Sequence, residues 1–289
     1  RLMLETLRRY NPGDIHVYVM HTSLTEEHLR ELAGSGCQVH PVAMSGVEFQ
    51  EAPISDRYPP EMYYRLLAAR YLPQNLDRIL YLDPDMIILG SLRELYELPL
   101  GEEYFYAAAT HLKEFWRKIN EKRLDLPEEG IYVNSGVLLM NLAVLREKQQ
   151  EEEIFSYIRT HEKALWLPDQ DIISALYGDR ILEIDPYVYN MTDKLFVLRP
   201  EGEAWMNLDW VRTHSRIIHF SGHSIRRQSL PREENPVCNP TEDLQKIKIG
   251  IGGAEAQSMP KLFIKVVSDI VHRLRDRLFS KRQAVRNDL

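Results

Sequence analysis

Only two cysteines, Cys37 and Cys238, occur in 289 residues, far apart and without a C-x-x-C spacing. Neither a disulfide framework nor a zinc knuckle is indicated, and a reducing compartment is expected. No apolar run approaches eighteen residues and no signal peptide opens the sequence. The expectation is a chain that neither spans a membrane nor shows a secretion signal. A basic excess is also missing, since 36 Lys and Arg stand against 43 Asp and Glu for a formal charge of −7. Nucleic acid is therefore not an expected partner, because phosphate neutralisation wants a basic surface. Internal repeats and a G-x-G-x-x-G are absent as well.

What is present is an ordinary globular composition, long enough for one large α/β domain or two small ones. Residues 1–10 (RLMLETLRRY) have helical spacing with no capping residue before them, so the sequence is expected to begin inside an element. After the turn at Asn11-Pro12-Gly13-Asp14, residues 15–19 alternate as a strand. Ser23 with Glu26 reads as a capping box for a helix stopping near Gly34, and Val39 sits in a second short strand. The pattern is lost from 43 to 58, as in a loop near a substrate. Pro59-Pro60 opens a helix over 61–71 that carries Arg65 and ends before Pro73. Further strands are expected over 104–109, 132–141 and 216–220, a short helix over 91–97 and a charged helix over 142–161. Residues 111–129 read as a loop. This alternation predicts a mostly parallel sheet with helices on both faces.

The stretch that organises the chain is 79–89, ILYLDPDMIIL. Its first run reads as a strand buried on both faces. Asp83 and Asp85 then fall on one side of an extended backbone, just past the strand end, where open α/β sheets bind ligands. Two hard oxygens there suit Mg²⁺ or Mn²⁺ holding a diphosphate. A solvated turn favours the same residue types, and with 16 Asp a chance D-x-D is expected roughly once per chain of this length. A second D-x-D, Asp169-Gln170-Asp171, stands at a helix start opened by Pro168, where carboxylates serve as caps. The corner Asn134-Ser135-Gly136 before an apolar strand lets backbone and an amide approach a ligand, or is a plain turn. His219 closes a strand, where a histidine is more often a hydrogen-bonded core residue than a ligand.

Taken in order, Tyr64-Arg65, YLDPDMIILGSL at 81–92, YVNSGVLLMNL at 132–142, LPDQDII at 167–173 and HFSG at 219–222 resemble glycosyltransferase family 8. Members are retaining transferases that use nucleotide sugars, and the resemblance covers roughly residues 1–225. It implies a glycosyltransferase-A-like, Rossmann-like α/β fold, with a catalytic domain over 1–230 whose first strand is expected upstream of residue 1. It also implies Asp83, Asp85 and His219 as ligands of Mn²⁺, with Mg²⁺ as the alternative. Arg65 would reach the nucleotide diphosphate, and Asp83 would also touch the ribose. Asn134, Ser135, Asp169 and Gln170 would surround the donor sugar, and Gly222 would allow close approach to the phosphates. Gln170 would stand at the reacting face, with Asp171 as the second catalytic candidate. Two positions depart from the family pattern: Ile225 replaces a diphosphate-contacting Lys, and Thr110-His111 replaces an Asp.

The expected reaction is transfer of glucose or galactose from a UDP-sugar to a hydroxyl of a surface glycan or glycolipid, with lipopolysaccharide as the analogy. Competing expectations are a metal-dependent phosphohydrolase, a non-catalytic nucleotide-sugar-binding protein, and self-glucosylation on tyrosine. Residues 231–259 read as a linker. Within 260–289, Phe263, Val266, Val267, Ile270, Leu274 and Leu278 line one side of a basic amphipathic helix. That helix reads equally as a docked terminal element or as a peripheral membrane contact over 260–283, which would hold a cytoplasmic protein at the inner membrane face.

Overall fold

The computed structural model describes residues 2–45, 49, 52–54, 59–111, 114–197 and 206–220. The linker over 231–259, the amphipathic helix over 260–289, Gly222 and Ile225 lie outside the described residues. Among the described residues, no helix is long and apolar enough to cross a membrane.

Helix α1 (Leu2–Tyr10) opens the chain and is followed by β1 (His16–His21), α2 (Glu26–Ala33) and β2 (Gln38–Ala43). The N-cap of α2 is Thr25 rather than Ser23. Thr25 Oγ1 accepts from the His28 N–H, and His28 Nδ1 accepts from the Thr25 N–H, each at 3.3 Å. An imidazole nitrogen thus takes the part usually played by Glu or Gln, which moves the box two residues along. Residues Pro60–Leu67 wind as a 3-10 helix that passes into α3 (Ala68–Tyr71). Next come β3 (Arg78–Leu82), β4 (Met86–Ile88), α4 (Arg93–Tyr96) and β5 (Tyr106–Ala108).

Two helical expectations change. The expected loop at 111–129 contains α5 (Glu114–Leu124), a polar helix whose last residue, Leu124, is fully buried. The expected single helix over 142–161 is two, α6 (Leu142–Lys148) and α7 (Glu151–His161), following β6 (Val137–Asn141). The break is at Gln149, whose ψ of 129° is extended. Before it, Arg146 donates to the carbonyls of Ala69, Pro73 and Leu76 at 2.9, 2.9 and 2.7 Å, tying α6 to the end of α3. The chain continues through α8 (Pro168–Tyr177), β7 (Ile181–Glu183), α9 (Pro186–Tyr189), β8 (Met191–Thr192), α10 (Asp193–Val197), α11 (Leu208–His214) and β9 (Ile217–His219).

Among the described residues the strands form three sheets, ordered β1-β2, β3-β6-β5-β7 and β4-β9-β8. The expectation of a mostly parallel sheet is half met. Pairs β1-β2, β5-β7 and β8-β9 are parallel, whereas β3-β6, β5-β6 and β4-β9 are antiparallel. The reversal of β6 sets the start of that strand beside the end of β3, with Leu82 opposite Val137. Strand β3 is half-buried along its length rather than fully buried. Among the described residues only one of its edges is paired, with β6.

Strand β6 is buried throughout, and its alternate residues divide between two cores as a period of two requires. Leu138 and Met140 pack with Tyr63, Leu66, Tyr106, Ile172 and Ile173. Val137 and Leu139 pack on the other side with Met86, Ile88, Leu92 and Leu95. Helix α1 closes that second side through Thr6, whose Oγ1 accepts from the buried Ile88 N–H at 3.1 Å. A third cluster joins Ile87, Met191, Val211 and Ile218 under the β4-β9-β8 sheet.

Candidate functional site

Asp83-Pro84-Asp85 is the link by which the chain leaves β3 and enters β4 in another sheet. Backbone pairing holds both ends of it. The Asp83 N–H donates to the Gly136 carbonyl at 2.9 Å, and the Phe220 N–H donates to the Asp85 carbonyl at 3.0 Å. Because Met86 pairs with His219 across β4 and β9, the imidazole arrives beside the two acids. His219 Nε2 lies 3.4 Å from Asp85 Oδ1 and 3.8 Å from Asp83 Oδ2. One ligand atom from each residue falls within 4.8 Å of the others.

Two carboxylates and an imidazole at one point are a donor set for a divalent cation of the Mn²⁺ or Mg²⁺ type. The 3.4 and 3.8 Å between His219 Nε2 and the two carboxylates are close to the roughly 3 Å expected between neighbouring ligands of one small divalent ion. Clearance comes from Gly136, where a Cβ would meet His219 Cε1 at 2.4 Å and Asp83 Oδ2 at 2.9 Å. The residues present fit such an ion.

Arg65 links this point to the second D-x-D. Its Nη2 donates to Asp83 Oδ1 at 3.2 Å, and its Nη1 lies 3.1 Å from Asp169 Oδ2 and donates to the Ser135 carbonyl at 2.8 Å. The guanidinium stacks over Tyr81 at 4.3 Å, and the Tyr81 hydroxyl donates to Asp83 Oδ1 at 2.7 Å. Burial alone would lower the Arg65 pKa, but Asp83, Tyr81 and Asp169 outweigh it and hold the charge firmly in place. Arg65 thus straps two carboxylates together, while its Nε is buried with no partner among the described residues. Burial pushes the Asp169 carboxyl above the usual carboxylate range, against the pull of Arg65 and of Ser135, whose Oγ donates to Asp169 at 2.8 Å.

A run of amides carries the contact onward. Asn134 Oδ1 accepts from the Gly136 N–H at 3.1 Å and from Asn190 Nδ2 at 2.9 Å. Asn190 Oδ1 in turn lies 2.9 Å from His219 Nδ1. Gln170 is buried beside this corner, its Oε1 accepting from the Ser135 N–H at 3.3 Å.

Asp83, Asp85, His219, Arg65, Asn134, Ser135, Asp169 and Gln170 therefore gather in one connected region. Asp171 does not join them. It is fully buried and accepts from Arg123, Tyr132 Oη and the N–H groups of Trp166 and Leu167, so its oxygens are engaged in building the turn before α8. Sequence reasoning missed Tyr81 and Asn190. Tyr81 carried a signal, since it lies two residues before Asp83 and points to the same side of the strand. Asn190 carried none.

Residues 2–224 match the family model of glycosyl transferase family 8. The lipopolysaccharide 1,2-glucosyltransferase of Escherichia coli is 35% identical over 172 residues, 59% of this chain and 50% of that protein. The protein of the same name from strain K12 is 31% identical over 165 residues, 56% of this chain and 47% of that protein. The chain spans about half the length of these curated relatives. Among solved structures, the galactosyltransferase LgtC in complex with donor and acceptor sugar analogs aligns with a TM-score of 0.66 and 17% identity, over 90% of this chain and 92% of that one. The shared feature is the glycosyltransferase-A fold.

Proposed function

Because the chain belongs to glycosyl transferase family 8, we propose that it is a retaining hexosyltransferase, moving glucose or galactose from a UDP-sugar to a hydroxyl of a glycan or glycolipid. The observation that carries this reading is the convergence of Asp83, Asp85 and His219 within 4.8 Å at the end of a sheet. Mn²⁺ is the ion proposed for that point, with Mg²⁺ as the alternative. When bound, it supplies Lewis-acid neutralisation of the charge growing on departing UDP. The names of the curated relatives support a lipopolysaccharide acceptor. The same proposal sets the protein in the cytoplasm at the inner membrane face, with residues 260–283 as its peripheral contact.

The bond from the anomeric carbon to the phosphate oxygen breaks, and the acceptor oxygen bonds to that carbon on the same face. The acceptor proton passes to the departing phosphate oxygen. Support for this route is that the three side chains proposed nearest the sugar's reacting face, among the described residues, are not disengaged nucleophiles. Gln170 is a neutral amide, Asp169 is held by Arg65 and Ser135, and Asp171 is held by Arg123. In this reading Ser135, Asp169, Gln170 and Asn134 orient the sugar, and pre-set dipoles and position supply the rate. Arg65 keeps the two acidic corners in register, and of its five N–H donors those on Nε and the second on Nη2 are not used by Asp83, Asp169 or Ser135 and are the ones proposed for a phosphate oxygen. Gly222 belongs to the proposal as the residue allowing close approach of backbone to the phosphates.

The test is UDP release from UDP-glucose and UDP-galactose with Mn²⁺, on the full natural chain, with and without glycan or glycolipid acceptors. Acceptor-dependent release from one donor, with the anomeric configuration kept in the product, is the expected result. Free sugar without transfer would make it a hydrolase, and donor binding without turnover a binding protein. Added hexose mass on the chain itself would make it self-glucosylating.

A further inference from the structure

We propose that Asn190 is a positioning residue that fixes the tautomer of His219 and thereby leaves the Nε2 lone pair for a divalent cation. The proposal rests on the reading of Asp83, Asp85 and His219 as a cation site.

Hydrogen-bond polarity in this chain of amides is set by one atom whose role admits no choice. The Gly136 backbone N–H can only donate, so the Asn134 side-chain atom 3.1 Å from it is the carbonyl oxygen. That same oxygen is 2.9 Å from the Asn190 amide, which must therefore present its NH₂. The other end of the Asn190 amide, its oxygen, then faces His219 Nδ1 at 2.9 Å and can only accept. Nδ1 consequently carries the ring proton. A neutral imidazole has one such proton, so Nε2 is unprotonated, and Nε2 is the atom 3.4 Å from Asp85 and 3.8 Å from Asp83. Neither an amide flip nor a tautomer change is free, because each would set donor against donor or acceptor against acceptor.

Without this constraint the other tautomer is open to the ring. Two carboxylates beside Nε2 could equally accept from an Nε2–H tautomer, which would leave no lone pair there for a cation. Asn190 is fully buried and His219 nearly so, so water does not readily stand in for the amide. The Asn190 backbone is held by its N–H to the Pro186 carbonyl at 3.1 Å. The same amide grips Asn134, so the corner proposed to orient the donor sugar and the cation's histidine are held by one side chain.

The experiment uses the full natural chain with ¹⁵N-labelled histidine. Long-range ¹H–¹⁵N correlation of the metal-free protein, above the imidazole titration range, reads the His219 tautomer, and calorimetry reads Mn²⁺ affinity. The wild type is expected to show Nδ1–H. Asn190→Leu is expected to move the proton to Nε2 and weaken Mn²⁺ about 10- to 100-fold. Asn190→Asp still accepts from Nδ1 and should keep the tautomer, although its second oxygen meets Asn134 Oδ1 acceptor to acceptor. Nε2–H in the wild type, or wild-type Mn²⁺ affinity in Asn190→Leu, overturns the proposal. If Asn190→Leu fails to fold, Asn190→Asp decides, and an Nε2–H tautomer in that folded variant overturns it. A wild type that binds no Mn²⁺ sinks the cation reading and the use of the lone pair with it, even where the tautomer is as stated.

Discussion

Arg123 grips both oxygens of Asp171, Nη2 to Oδ1 and Nη1 to Oδ2, each at 2.8 Å. Arg123 also stacks over Trp166 at 4.2 Å and donates to the Ala164 carbonyl, so it clamps the turn that leads into α8. Asp171 is fully buried, and removing either partner strands a charge in a site with little water. Asp171→Ala and Arg123→Ala should each cost about 3–5 kcal/mol. Urea unfolding measures this, and an unchanged midpoint would show the pair to be dispensable.

Gly136→Ala tests the clearance at the proposed cation site. The added methyl would collide with the His219 ring and the Asp83 carboxylate, two groups hemmed in by neighbours. Stability should fall by about 1–3 kcal/mol, as for overpacking. Mn²⁺ affinity should fall about tenfold or more. Calorimetry with Mn²⁺, alongside circular dichroism to check folding, reads both effects.

Asp85→Asn removes one anionic oxygen from the proposed cation while leaving the side chain's shape. Its side chain is 38% exposed, so unfolding free energy should shift by no more than about 0.5 kcal/mol. Mn²⁺-dependent UDP release should drop about a hundredfold or more, since losing a ligand should exceed the loss of an outer partner. Full activity at limiting Mn²⁺ would remove Asp85 from the site.

His111 gives a dependence on pH. Burial pushes its pKa down to about 3, the charge of His219 adds to this, and a bond to the Asn190 backbone opposes it. The folded state therefore binds fewer protons than the unfolded one between the ordinary histidine value of 6.5 and about 3. Stability from this group is complete above the upper value and is lost as pH falls through that window, by at most about 1.4 kcal/mol per pH unit. Denaturant unfolding across the window should show a shallower slope for His111→Gln than for the wild type. Equal slopes would mean that His111 is already solvated.

Local patterns were legible where they depend on neighbours in sequence. The alternation at 137–140 divides the two cores as a buried strand should, and Pro168 does start α8. Asp83 and Asp85 do stand just beyond a strand end. Helix α5 was hidden because its run is polar, with little periodic apolar content to reveal it. Strand direction was hidden for a different reason. Residues 132–141 read the same whether they run with β3 or against it, and the choice sets the Asn134-Ser135-Gly136 corner beside Asp83 rather than at the far end of the sheet.

Residue types and short spacings, by themselves, marked two acid pairs, a glycine corner and a strand-end histidine as candidates, each with a structural alternative, and the family resemblance singled them out as one expected site. They could not say that Asp169 turns toward Arg65 while Asp171, two positions on, is buried against Arg123. Nor could they say that Asn190 stands between Asn134 and His219. Those outcomes belong to the tertiary structure, because a carboxylate or an amide takes its role from whichever distant donor folding brings to it, and no local periodicity encodes that partner.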